Sequence, residues 1–152
     1  MITMATEATY REASEDDVSA IVALLADDLI GSGREGESDA YLAAFDAIAA
    51  DARNHLIVAD IDGEVAGTLQ LTYIPGLSRM GAERAQIEAV RVAAAYRGRG
   101  LGREMISWAI DQARRRGCGL VQLTSDKRRE DAIRFYESLG FTASHEGLKL
   151  SL

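Results

Sequence analysis

Apolar positions along this chain follow two rhythms, and the points where the rhythm changes mark its elements. Thr9-Tyr10-Arg11-Glu12-Ala13 reads as a short strand. Val18, Ile21, Val22, Leu25 and Leu29 then repeat at helical spacing. Ser14 can cap that helix, with Glu15, Asp16 and Asp17 at its positive end. Gly31-Ser32-Gly33 stops it, and the polar residues to Glu37 form a loop. Ser38 caps a second helix with Tyr41, Leu42, Phe45, Ile48 and Ala49 on its apolar face. Leu56-Ile57-Val58-Ala59 is a short apolar run, and Asp62-Gly63 signals a hairpin into a longer strand over 65–74, with a bulge marked by Gly67. A loop over 75–81 leads to a third strand over 85–92.

The second half continues with a helix over Leu101–Arg116 that buries Met105, Ile106, Ala109, Ile110 and Ala113, a face that Trp108 widens. Arg114, Arg115 and Arg116 sit at its negative end, where they stabilise the dipole, and Gly117 supplies a left-handed stop. A strand over 120–124, a helix over 132–139 ended by Gly140, and two terminal strands over 141–143 and 149–152 complete the pattern. The predicted order βααβββαβαββ describes an α/β (α+β) fold with a mixed sheet, three antiparallel strands feeding a strand–helix–strand unit.

Composition narrows this picture. A chain of 152 residues with 47% hydrophobic positions and one Pro suits a single ordered domain, 1–152. A net charge of −7 argues against nucleic acid and anionic membrane as partners. It suits a cationic substrate, and equally plain solubility. The lone Cys118 excludes an intrachain disulfide, and His55 and His145 show no metal-ligand spacing, so no metal is expected. No apolar run approaches the roughly 18–20 residues of a membrane span. Met1-Ile2-Thr3-Met4 lacks the basic and apolar regions of a signal peptide, so a cytoplasmic protein is expected. A homodimer is compatible with the sequence, which does not fix the oligomeric state.

Chemistry concentrates where the third strand gives way to the long helix. The apolar strand through Glu88, Val90, Arg91 and Val92 runs into Arg97-Gly98-Arg99-Gly100-Leu101-Gly102-Arg103. A glycine-rich loop at a helix start exposes backbone N–H groups and the positive dipole end, which attract an anion. Three arginines add charge; as plain surface residues they need no ligand. A dinucleotide fingerprint G-x-G-x-x-G fails because position 103 is Arg, and no Gly-Lys-Ser/Thr phosphate loop exists. A ligand containing pyrophosphate is therefore expected here, ahead of a simple tight turn.

Arg97-Gly98-Arg99-Gly100-Leu101-Gly102 resembles the Gln/Arg-x-x-Gly-x-Gly/Ala signature of the GNAT acetyltransferase superfamily. Ala132-Ile133-Arg134-Phe135-Tyr136-Glu137-Ser138-Leu139-Gly140-Phe141 resembles the A-x-x-F-Y-E-x-x-G-F segment of the same enzymes. The resemblance covers nearly the whole chain. It implies a GNAT-like twisted sheet, mostly antiparallel and flanked by helices, and acetyl-CoA as cosubstrate. Pyrophosphate would rest on the backbone N–H groups of residues 99–103, with Arg97, Gly98, Arg99, Gly100, Leu101, Gly102 and Arg103 as the binding loop. In the family the strand before this loop splays from its parallel neighbour, so pantetheine would pair along Val90, Arg91 and Val92 as an added strand. An Asn often stands three residues before the motif's alanine in these enzymes; here Arg129 stands there. Lys127, Arg128 and Arg129 either approach the phosphates or form a solvated helix start.

Acetyl transfer to an amine needs the neutral amine, whose pKa is about 10.4 for a lysine-like group, so a base must take a proton. Glu88 is the candidate, since a mid-strand Glu among apolar residues needs a reason, and many of these enzymes carry Glu in this strand. Strand alternation gives it the parity of Val90 and Val92. A Glu paired with a neighbouring strand's Arg, or exposed at an edge, is the alternative. Backbone N–H groups near Val90 could hold the oxyanion. Family precedent makes Tyr136 the acid for the departing thiolate; a core tyrosine is the alternative. Cys118 is expected to be structural, which leaves direct transfer in a ternary complex. Loops over 31–38, 75–81 and 144–147 would select the acceptor, a primary amine of a small molecule or peptide. A non-catalytic acyl-CoA-binding sensor or regulatory protein is the rival from another class.

Overall fold

The computed structural model describes residues 7–28 and 30–152. Leu29 and the N-terminal Met1-Ile2-Thr3-Met4 segment lie outside the described residues. Contacts divide the chain into two compact units, Met1–Gln122 and Leu123–Leu152.

The first unit holds one five-stranded sheet in the order β1-β2-β3-β4-β5. Its strands are β1 (Thr9–Glu12), β2 (Asn54–Ile61), β3 (Glu64–Ile74), β4 (Arg84–Val92) and β5 (Leu120–Gln122). The pairs up to β3–β4 are antiparallel, and β4–β5 is parallel. Asp62 and Gly63 turn the β2–β3 hairpin with φ of 53° and 83°, the left-handed pair that a two-residue loop demands, and this is why Asp-Gly was legible. The register between β2 and β3 then shifts: Asp60 faces Val65 and Ala59 faces Gly67, so Ala66 is the extra residue, one place from the expected position. Gly67 has a different task. A Cβ there would lie 2.6 Å from the Met105 sulfur and 3.1 Å from the Arg91 carbonyl oxygen.

Helices α1 (Val18–Ala26), α2 (Ala40–Ala49), a one-turn α3 (Ser78–Gly81) and α4 (Leu101–Arg116) complete this unit. Ser14 precedes a short 3-10 turn, Glu15–Asp17, rather than α1 itself. Asp17 folds back to accept the Ser14 backbone N–H at 2.7 Å and the Arg11 guanidinium at 2.7 and 3.0 Å. Those bonds, the Arg11 pair foremost, hold the Asp17 carboxyl down at about 2. α1 ends at Ala26, ahead of the glycines, and Gly31–Gly33 form a 3-10 turn of their own. Ser38 accepts the Ala40 backbone N–H at 3.1 Å where α2 starts.

The core lies mainly on one face of the sheet. Cross-strand partners Ile57 and Leu69, with Leu71 and Ile87, are almost fully buried, as are Met105, Ile106, Ala109 and Ala113 of α4. Tyr10 stacks on Trp108 with ring centroids 5.1 Å apart. Gly117, at φ 84°, closes α4 as its sequence predicts, and Arg116 lies 3.9 Å over the Tyr73 ring. α1 covers the opposite face with Ile21 and Leu24, whereas no residue of α2 is fully buried.

The second unit contains α5 (Glu130–Ser138), followed by Gly140 at φ 98°. The two terminal strands expected over 141–143 and 149–152 are not formed. A strand exists only through a partner's backbone, and these segments make no ladder of their own. Their alternating leucines, Leu148, Leu150 and Leu152, stay exposed. Strand β5 also stops at Gln122 rather than reaching 124.

Candidate active site

Strand β4 changes character halfway along. Arg84, Ala85 and Gln86 pair on both sides, with β3 and with Leu120, Val121 and Gln122 of β5. The parallel ladder ends there, and β4 runs on through residues 87–92 without a β5 partner. This is the one-sided opening that the resemblance implied for Val90 and Val92. A second break occurs on the β3 side. Glu88 faces Gln70 and Arg91 faces Thr68, so Ala89 and Val90 together oppose Leu69. Ala89 sits at φ 53°, a left-handed conformation that costs an alanine roughly 1–2 kcal/mol.

This bulge corrects one expectation. Strand alternation gave Glu88 the same face as Val90 and Val92, but the extra residue inverts the parity beyond it. Glu88 shares its face with Arg91, because their partners Gln70 and Thr68 are two residues apart on β3. Val92 faces Gly67, on the side packed by α4. Alanine carries no local signal for a left-handed backbone, so the inversion was not readable from residue spacing.

Glu88 is exposed and receives a hydrogen bond from Gln86 Nε2 at 3.4 Å. It forms no ion pair with an arginine among the described residues. The carbonyl of Val90 accepts Arg91 Nη1 at 2.8 Å, and that of Val92 accepts Arg97 Nε at 3.1 Å. An added strand would thus meet two carbonyls that side chains already use, leaving N–H groups as the principal attachment.

The loop that follows has the backbone its glycines suggest. Gly98 and Gly100 adopt φ of 76° and 81°, and Gly100 caps the sixteen-residue α4. A Cβ at either would meet no protein atom within 4 Å, so conformation rather than space requires glycine here. Successive backbone N–H groups and the dipole of a four-turn helix thus converge on one spot. The three arginines divide. Arg97 is tied 3.1 Å from Asp27, and Arg99 lies 5.9 Å over the Tyr96 ring. Arg103 stands in the exposed first turn of α4, near Gly102. Leu101 is buried, so it can contribute only its backbone.

Beside the bulge lies a cavity of about 150 Å³ between α1, α2 and the sheet. Ala89 lines it with Thr68 and Gln70, the partners of Arg91 and Glu88. Tyr41, Phe45 and Ile48, expected to be packed as a helix face, form its wall instead. One signal for it was present: Thr68 and Gln70 place polar side chains two apart on a largely apolar strand.

In the second unit, Tyr136 packs edge-on against Phe135 and Phe141, with centroids 5.2 and 5.8 Å away. Arg128 pairs with Asp126 at 2.7 Å and Lys127 with Glu146 at 3.1 Å, so two members of the basic run are already matched by carboxylates. Cys118, raised by burial and by Glu83, is a poor nucleophile. Among the described residues, no group of three or more His, Cys, Asp or Glu could hold a metal ion, and no helix is long and apolar enough to cross a membrane.

Comparison with known proteins agrees with this geometry. The family model described as the acetyltransferase (GNAT) family matches residues 8–141. An aminoalkylphosphonate N-acetyltransferase of Salmonella typhimurium is 29% identical over 138 residues, covering 89% of this chain and 85% of that protein. A crystal structure from Bacillus halodurans, described as a transcriptional regulator, superposes with a TM-score of 0.92 at 49% identity, covering 96% of this chain and all of that one. An acetyltransferase structure from Trypanosoma brucei gives a TM-score of 0.76 at 29% identity, covering 96% of this chain and all of that one. With its glycine loop, opened β4 and a family match over most of its length, this chain belongs to the acetyltransferase (GNAT) family and is an acetyl-CoA-dependent N-acetyltransferase.

Proposed function

We propose that acetyl transfer takes place at the β4 bulge, by direct attack of a primary amine in a ternary complex. The observation that carries this reading is that β4, unpaired on the β5 side beyond Gln86, also loses its β3 pairing at Ala89 and Val90, shortly before the glycine loop. The residues fit an acetyl donor that contains pyrophosphate. The backbone of Gly98, Arg99, Gly100, Leu101, Gly102 and Arg103 would hold the phosphates, with Arg97, Arg99 and Arg103 supplying charge. Val90, Arg91 and Val92 would hold the pantetheine arm.

The chain's groups then divide the work. Glu88 takes the proton of the attacking amine, directly or through one water. Backbone N–H groups at the Ala89–Val90 bulge donate to the thioester oxygen as it gains charge, and their fixed geometry makes that donation effective. A nitrogen–carbon bond forms, the carbon–sulfur bond breaks, and the sulfur needs a proton. Tyr136 supplies it; this role rests on the Phe135-Tyr136-Glu137 motif alone. We also infer that residues 1–152 work as one acetyltransferase domain, because the family match runs through both units. The acceptor is the amine of a small molecule or peptide.

Calorimetry with acetyl-CoA, followed by thiol release across an amine panel, tests this reading. Binding with turnover supports it. Binding without turnover on any amine would overturn it. Tyr136→Phe should cut turnover while acetyl-CoA affinity holds. Wild-type turnover in that variant returns Tyr136 to the role of a packing residue.

A further inference from the structure

The cavity beside Ala89 says more about the acceptor than the family does. Its walls come from Val18, Ile21, Val22 and Leu25 on α1, and from Phe45 and Ile48 on α2. Among the described residues, no charged side chain lines it. Its three polar side chains already bond within the protein: Thr68 donates to the Ile57 carbonyl at 2.9 Å, Gln70 donates to Asn54 at 3.2 Å, and Tyr41 donates to Glu35 at 2.9 Å. Little is left to replace the water around a phosphate, a phosphonate or a polyhydroxylated ring, and burying such groups without partners is costly. Two lining residues, Ala44 and Ala89, are exposed, so the cavity reaches the surface on the bulge side.

We propose that this cavity selects the acceptor, and that it takes a primary amine carrying one compact apolar group, with the amine at Ala89 and the apolar group between α1 and α2. The inference rests on the reading of the β4 bulge as the transfer site. Its size sets the scale: an apolar cavity of about 150 Å³ in another protein stays dry and accepts benzene. The lining also serves the chemistry. An ammonium entering apolar surroundings is desolvated, which favours its neutral form. Glu88 lies on the same face of the sheet, opposite Gln70, where it can receive the released proton. The acidic charge of the whole chain, −7, would still draw the ammonium form toward the surface.

The test compares 2-phenylethylamine and isoamylamine with 2-aminoethylphosphonate and glucosamine 6-phosphate in the thiol-release assay, with acetyl-CoA binding measured separately by calorimetry. The expected kcat/KM for the apolar amines is at least tenfold higher. Val22→Phe, which fills the cavity, should raise KM for 2-phenylethylamine at least tenfold while the acetyl-CoA Kd stays within twofold. Phe45→Ala, which enlarges it, should shift preference toward 1-naphthylmethylamine. Saturation-transfer NMR with 2-phenylethylamine should show contact that Val22→Phe removes, a readout independent of turnover. Normal acetyl-CoA binding with the phosphonate or the sugar phosphate preferred would overturn the acceptor class alone. An unchanged KM in both variants would overturn the cavity as its subsite. Failure of acetyl-CoA to bind would remove the transfer site itself, and this proposal with it.

Discussion

The two faces of the sheet are built for opposite ends. Against α4, Leu69, Leu71, Ile87, Met105 and Ile106 are each at most 1% exposed, and the helix comes so close that residue 67 cannot carry a Cβ without displacing Met105. Against α1 and α2, the same strands leave a cavity, and α2 buries no residue fully. One face is packed as protein interiors are. The other gives up packing where a ligand would fit, and holds Ala89 in a left-handed backbone at its edge. The difference teaches that a half-buried helix such as α2 can be a wall rather than an incomplete core.

The comparison makes predictions of decreasing size. Met105→Ala should cost about 3 kcal/mol in urea unfolding, as a core truncation that leaves a void. A loss under about 1 kcal/mol would show that the α4 face is not the tight one. Gly67→Ala should cost less in that background than in the wild type, since the clashing sulfur is gone; additive losses would mean that the Arg91 carbonyl sets the limit.

Across the sheet, Glu88→Gln should lower kcat/KM about 100-fold, equivalent to about 2.7 kcal/mol, with stability nearly unaltered. An unaltered pH–rate profile would remove Glu88 as the base. Asp17 anchors the start of α1 through Arg11, and its carboxyl titrates lower in the folded protein than in the unfolded chain. Its contribution is therefore complete above about pH 4 and is lost as pH falls toward 2. Asp17→Asn should remove about 2 kcal/mol at pH 7 and flatten the acid limb of stability; an identical limb in the variant would transfer that role to other carboxylates. Smallest, Phe45→Ala on the open face should cost only about 1 kcal/mol, against the roughly 3–5 of a buried phenylalanine. A full core-sized loss would mean that the cavity wall is core after all.

Much of the fold was legible because the signals were local. The Asp62-Gly63 turn, the stop at Gly117 and the Met105-Ile106-Ala109-Ala113 stripe each depend on neighbours within a turn or two. The terminal strands over 141–143 and 149–152 were not formed, because alternation in a segment such as Leu148-Lys149-Leu150-Ser151-Leu152 shows a capacity to pair and does not supply a partner. Tyr41, Phe45 and Ile48 gave a true helix and a misleading burial, since periodicity says which side chains share a face and not what lies opposite.

The candidate site divides in the same way. By itself the sequence determined the glycine loop, the long helix behind it, the strand carrying Glu88 and the motif holding Tyr136, because each is written in consecutive residues. Only the tertiary structure decided which face Glu88 occupies, where β4 loses its neighbours and which side chains line the cavity beside it. Those depend on register, and register is a relation between strands: one extra residue at Ala89, unmarked by its own side chain, turns Val92 toward the α4 core and keeps Glu88 and Arg91 together on the open side.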